Sequence, residues 1–296
     1  MTRTLLKSRN MYEFIAGTTT LGYLLADGGH TYTNVTVISP IDKNSTFWNK
    51  LENVRKELRA LRTEKIGDGV KYYKEGATAY CWFDSFMCDD SGWRKFYKGE
   101  GPKPTVKDFP NDWLIALIDA LQKAEADPEV KNFVLDISTN GGGSSDIVTV
   151  ITSIFCNKND IYYENTLTGQ KIKSTYEVDR NLDGKFDEVD AQVKYNLNFA
   201  LLISSFSFSC GNLLPALLKD YGIPLIGKQS GGGSCCVLYN PSADGFAYCY
   251  STHRARLNNL KGENIDKGIT PHYELETADF FNIPKITALV ESYYGK

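Results

Sequence analysis

Ser209 stands in the segment ISSFSFSCGN, between an apolar run that reads as a buried strand and an apolar run that reads as a helix. A serine on a strand-to-helix turn has two chemical assets. Its hydroxyl is held on a tight bend, and the first N–H groups of the helix point at any anion that forms beside it. Together these suit a serine that attacks a carbonyl. The same position also suits an ordinary helix cap, a role for which serine is favoured. The glycine run of TNGGGSS, residues 139–145, follows another apolar strand. It either brings backbone donors close to a ligand, since glycine lets the main chain approach closely, or simply makes a tight turn. No lysine follows the glycines and GxGxxG order is missing, which argues against a phosphate or dinucleotide loop. His30, in ADGGHT, lies in a polar glycine-rich turn, where it is either a surface residue or a base that must reach Ser209 in space.

A second motif is sharper. In DRNLDGKFDEVD, residues 179–190, Asp179, Asn181 and Asp183 occupy loop positions one, three and five, with Gly184 at six. Lys185 would offer its backbone carbonyl at seven, and Asp187 and Asp190 stand at nine and twelve. Oxygen donors alternating along a loop that glycine bends sharply make the calcium-loop pattern, here with aspartate last, as in dockerin-type loops. The plainer alternative is an acidic surface turn. Calcium here would be structural and would stiffen an insertion at 160–195.

These residues need elements to hold them. Residues 11–25 read as an apolar helix ended by glycines, and STFWNKLENVRKELRALRTEKIG as a charged amphipathic helix. VKYYKEGATAYCWFDSF alternates as strands do, and SGWRKFYKGEGPKPTVKDFPND reads as a loop. Two helix-then-strand units follow: DWLIALIDALQKAEADPEV into NFVLDIS, and NFALLISS into a further helix and the strand of IPLIGKQSGGGS. Such alternation predicts an α/β fold with a mixed, largely parallel buried sheet and flanking helices. Sites in these sheets gather at the carboxyl ends of strands, which here are Asn140–Ser144, Ser204–Cys210 and Ser230–Ser234. The expected division is a flanking region, 1–100, contributing His30 and strands, and a core, 101–296.

Composition narrows the function. A chain of 296 residues with a net charge of −3 and dispersed lysines and arginines has no basic field for nucleic acid. No apolar run reaches the ~20 residues of a membrane span, and the start lacks a signal peptide's apolar region. A cytoplasmic protein or an excised piece of a longer one is the expectation from that feature alone. Seven cysteines, without paired CxxC spacing, form no evident metal or disulfide framework, and three histidines (His30, His253, His272) are too few for a histidine-rich metal site.

Three segments, taken in order, resemble the tail-specific, or C-terminal processing, serine peptidases. VKNFVLDISTNGGGSSD looks like that family's strand and Asn-Gly-Gly turn, and NFALLISSFSFSCGNLLPALLKDYGIPLIGKQSGGGS like its nucleophile segment. GENIDKGITPHYEL is similar to its closing GI-x-PD motif, with His272 in place of the aspartate. The resemblance covers about residues 110–282 and implies a ClpP/crotonase-like core, a peptide or protein substrate, no catalytic cofactor and an exported bacterial enzyme. It places the nucleophile at Ser209, or at Ser207 if the register slips by two. The best-known members use a lysine in the second glycine turn, but this chain has QSGGGSCC there, with Lys228 at the wrong end. The resemblance therefore points to a histidine-based, tricorn-like branch, with His30 as base, Asp266 (alternatively Glu263) as the orienting acid, and the N–H groups of Gly142 and Cys210 as the oxyanion hole. Two other readings stay open: a non-catalytic peptide-binding member of the fold with a calcium-stabilised insertion, and a crotonase-like acyl-CoA enzyme.

Overall fold

The computed structural model describes residues 2–25, 30, 32–33, 47–69, 71–241 and 247–295. The chain opens with α1 (Thr2–Leu5), α2 (Met11–Leu25), the short β1 (Tyr32–Thr33) and the long α3 (Phe47–Lys65). Leu51, Leu58 and Arg62 recur at helical spacing and are the buried positions of α3, so the charged helix packs through one stripe. β2 (Tyr72–Glu75) and β3 (Thr78–Trp82) form a hairpin, followed by α4 (Asp90–Tyr97). α4 corrects the reading of residues 91–112 as loop throughout. Asp89 caps it by accepting from the Ser91 N–H, and its aromatic residues pack on one another.

The two helix-then-strand units stand as expected. α5 (Trp113–Ala126) leads to β4 (Asn132–Asp136) and α6 (Ser145–Cys156). β5 (Asp160–Glu164) and β6 (Lys171–Thr175) intervene before β7 (Asn198–Ile203), α7 (Cys210–Asp220) and β8 (Leu225–Gly227). β9 (Cys235–Pro241), β10 (Ala247–Asn258), β11 (Tyr273–Glu274) and α8 (Ile283–Tyr294) complete the chain.

Six strands in the order β11-β8-β7-β4-β3-β2 make the central sheet, parallel throughout except for β2 at one edge. A parallel sheet must be covered on both faces, and the two-residue period of the strands divides the work. Phe133, Leu135, Leu201 and Ile203 pack with α5, α6 and α7. Val134, Ala200 and Leu202 face Leu58 of α3 and Ile286 and Val290 of α8. The fold is thus a mixed α/β architecture with a largely parallel, helix-flanked sheet.

A second, antiparallel sheet, β1-β10-β5-β6 with β9 also on β10, joins the same core through Ile161 and Leu257. Residues 160–175, read from the sequence as part of an insertion, supply two of its strands. No helix among the described residues is long and apolar enough to cross a membrane.

Candidate active site

The loops leaving the carboxyl ends of β4, β7 and β8 meet at Ser209. In the first, Asn140 is fully buried; its side-chain amide donates to the Phe83 carbonyl (2.6 Å) and its Oδ1 accepts from the Gly142 N–H (2.8 Å). Phe86 pairs with both sides of Gly143, donating to the Gly142 carbonyl (3.0 Å) and accepting from Ser144 (2.7 Å). In the second loop, Ser207 is fully buried and its hydroxyl donates to the Ile137 carbonyl (2.8 Å). Ser207 ties the two loops together, and Ser209 is the half-buried serine that lines the cleft.

Ser209 has φ 59° and ψ −119° and makes no side-chain capping bond although it precedes the first residue of α7. The ordinary cap role is therefore not what this serine performs. Its backbone is pinned on both sides: its N–H donates to the Gly232 carbonyl, and its carbonyl accepts from Asn212 and Leu213, each at 2.9 Å. A Cβ on Gly142, which itself has φ +110°, would lie 2.7 Å from the Ser209 Cβ and 3.1 Å from its Oγ. The glycine turn after β4 thus runs directly against the serine side chain.

His30 precedes β1 and is 9% exposed, its N–H donating to Ser251 Oγ of β10 (3.2 Å). Its ring lies 4.8 Å from that of Phe208, the residue before Ser209, and Trp48 of α3 packs on Phe208 at 4.9 Å. The imidazole pKa is lowered to about 4 by burial, against a raising effect of the Asp266 carboxylate. His30 Nδ1 is buried and has no hydrogen-bond partner among the described residues. Asp266 is held by Ser234, whose N–H and hydroxyl both donate to its Oδ1, at 2.7 and 2.6 Å. Glu263 is exposed and bonded instead to Asn259.

His30, Trp48, Gly143, Ser209, Cys210 and Leu257 are among the residues lining a cleft of ≈ 400 Å³. Of the expected anion donors, the Cys210 N–H has no acceptor among the described residues, whereas that of Gly142 is directed at Asn140. The Cys210 thiol, pushed up to about 12 by burial, donates to the Gly143 carbonyl (3.0 Å). The cysteines form no disulfide.

The sequence signature of peptidase family S41 matches residues 105–275. The chain belongs to peptidase family S41. It is a serine-type peptidase, of a family that needs no catalytic cofactor. Ser209 and Asp266 fall inside the matched segment and His30 outside it. No curated protein matches the chain. Among solved structures, a candidate peptidase from Parabacteroides merdae is 18% identical, with a TM-score of 0.58 over 97% of this chain and 86% of that one. A lipoprotein from Streptococcus agalactiae is 13% identical, with a TM-score of 0.54 over 99% and 86%. Mature CPAF in complex with lactacystin is 16% identical, with a TM-score of 0.50, and this chain spans 54% of its length. At these identities the likeness establishes the fold.

Several residues that shape the peptidase site carry no signal in the sequence. Ser234 holds Asp266, yet it reads only as the end of a glycine turn. Asn140, between strand and glycines, had a detectable signal, since an amide there can clamp its own turn. Beneath the site, Arg62 of α3 bonds Asp84 at 2.9 and 2.8 Å and lies 3.6 Å from the fully buried Asp136, while Thr139 donates to Asp84 (2.5 Å). The loop of residues 179–190 closes on itself: Asp179 accepts from the N–H groups of Asp183 and Gly184, and Asp190 from those of Arg180, Asn181 and Asp187. Asn181 donates to Asp183, Asp183 accepts from the Lys185 N–H, and Asp187 from that of Val189. Among the described residues no three acidic, histidine or cysteine side chains are gathered as a metal site.

Proposed function

We propose that the peptidase cuts peptide bonds through an acyl-enzyme on Ser209, with His30 as general base and Asp266 as the acid that orients it. The observation that carries this is Ser209 itself, held at φ 59° without a capping bond and lining one cleft with a buried imidazole. A non-glycine residue in such a conformation costs ~1–3 kcal/mol, and this strain clusters at working sites. His30 takes the Oγ proton as the oxygen attacks the scissile carbonyl carbon, then gives it to the departing amine; water repeats the sequence to release the acid. The buried, unpartnered Nδ1 is the nitrogen that Asp266 would hold, and desolvation keeps the imidazole neutral, with a lone pair free to accept a proton, at neutral pH. The Cys210 N–H holds the oxyanion, with Gly142 joining once the anion competes with Asn140 for its N–H.

Ser209→Ala should abolish labelling by a fluorophosphonate probe, and His30→Ala should reduce it by several orders of magnitude. Asp266→Asn should slow it strongly while Glu263→Gln leaves it unchanged. Undiminished labelling of the Ser209 variant would overturn the assignment. Family membership does not favour the non-catalytic reading.

The loop at 179–190 supports a separate, structural proposal. Asp179, Asn181, Asp183, the Lys185 carbonyl, Asp187 and Asp190 would supply, once drawn together, an all-oxygen donor set of the kind calcium takes. Each carboxylate has lone pairs beyond those that accept the N–H bonds. Calcium titration by calorimetry should show one site that Asp179→Ala removes; no heat with the intact chain would refute it.

A further inference from the structure

A second pocket, of ≈ 260 Å³, opens between α4, α5, α6 and residues 177–186. We propose that it docks one apolar side chain of the polypeptide being cut, carried next to a positive charge. The identity of the ligand as substrate rests on the peptidase reading; the pocket's chemistry does not.

Its walls are Trp93, Leu114, Ile118, Val150 and Leu182, and at its rim Phe186 stacks on Tyr97 at 5.3 Å. Phe186 is 51% and Tyr97 37% exposed, a large aromatic surface to leave in water. The volume falls below the ~300–1,000 Å³ of pockets that enclose a whole small ligand, so it matches a side chain. Four of the lining residues are acids, Asp90, Asp146, Glu177 and Asp179, and none is a lysine, arginine or histidine. Asp90 is paired with Arg94, and Asp179 accepts from Asp183 and Gly184. Asp146 and Glu177 are exposed and enter no salt bridge among the described residues. The negative field reaches Cys88 at the pocket, whose thiol is pushed up to about 11 by burial and then by Asp112, Asp90, Asp89 and Asp146. An apolar hole with two unpaired carboxylates complements an apolar side chain beside a lysine or arginine, since opposite charges at a rim select and steer the partner.

Position connects the pocket to the chemistry. Ser145 lines the catalytic cleft and Asp146 lines the pocket, so the first turn of α6 is the partition between them. Cys88, on the pocket's wall, lies two residues beyond Phe86, which bridges to Gly143 of the glycine turn. On this proposal a polypeptide leaving the cleft past Ser145 would reach the pocket on the other side of that turn.

The test uses the full chain carrying Ser209→Ala and two short fluorescent peptides, one with leucine between lysines and one with leucine between glutamates. The lysine peptide should bind roughly tenfold or more tightly, and added salt should weaken it. Asp146→Asn with Glu177→Gln should erase the preference, and Val150→Trp, which fills the hole, should erase the binding. With Ser209 restored, the same substitutions should leave fluorophosphonate labelling unchanged, which shows an intact fold and cleft. Equal binding of the two peptides, or a preference that survives both sets of substitutions, overturns the docking site. Absence of labelling in the unmodified chain would instead overturn the catalytic reading, and the peptide comparison remains measurable either way.

Discussion

His30 makes the pH dependence of this enzyme a sharp test. An exposed imidazole titrates near 6.5, but burial lowers that of His30 to about 4. The acid limb of the labelling rate follows the base of the free enzyme. At pH 5 a base of pKa about 4 is roughly 90% neutral and one of pKa 6.5 about 3%, so the two cases differ about thirtyfold in rate. Labelling should therefore persist at pH 5 and fall only near pH 4. Stability supplies an independent reading of the same group. Between pH 4 and 6.5 the unfolded chain binds a proton at His30 that the folded chain refuses, so this group's contribution is full above 6.5 and is lost as pH falls. At about 1.4 kcal/mol per pH unit between 6.5 and about 4, the loss is on the order of 3 kcal/mol. Asp136 acts with opposite sign in nearly the same window. Burial raises its carboxyl to about 6, so its contribution is present below the unfolded value of 3.8 and is lost as pH rises through 6. The intact protein's own curve is consequently flattened, and the difference between it and His30→Gln isolates the imidazole. Urea denaturation at pH 4, 5 and 7 gives that difference. A labelling limb near 6.5, with no pH-dependent stability difference from His30→Gln, would refute the desolvation argument.

Three further outcomes follow from the packing around Ser209. Gly142→Ala places a Cβ 2.7 Å from that of Ser209 at φ +110°, and should cut the labelling rate about a hundredfold or more, since a displacement near 1 Å at a reacting group costs that much. Ser207→Ala takes the acceptor from the buried Ser204 N–H and one of two donors from the Ile137 carbonyl, and should cost about 1–3 kcal/mol in urea denaturation while Ser209 still labels. Arg62→Ala strands the buried carboxylate of Asp136 and leaves Asp84 with Arg59 and Thr139 alone, and should cost about 3–5 kcal/mol in the same assay.

The central sheet was legible because its strands are short apolar runs bounded by helices of clear period, and burial on both faces leaves such runs little choice. The second sheet was not, because β9 and β10 are long, partly exposed strands of mixed residues whose partners are each other and the distant β1 and β5. α4 was missed for a related reason. Its glycine and its flanking prolines look like loop, while Asp89 and the aromatic contacts of Trp93, Phe96 and Tyr97 hold it as helix. Burial at His30 is likewise a property of two distant partners, Ser251 of β10 and Phe208 before α7. Neither shows in a glycine-rich turn, so the residue read as surface or as base with nothing local to separate the two.

Ser209 differs from a cap in where its hydroxyl is left. A capping serine turns its oxygen onto the N–H of the second or third helical residue and gains about 1 kcal/mol. Here that bond is not made, and the N–H of Asn212 goes to the Ser209 carbonyl instead. The helix start is satisfied by backbone, so the side chain is released, and the ~1–3 kcal/mol cost of positive φ must be borne by the surroundings. Those are identifiable: Gly232 receives the serine N–H, Asn140 receives that of Phe208, and Gly142 has no Cβ to press against the serine. They come from two strand ends other than that of β7, β8 for the first and β4 for the other two, so the strained turn exists only once the parallel sheet has assembled. A serine spacing that fits a cap equally well can therefore be told from a nucleophile only by the neighbours that the sheet supplies.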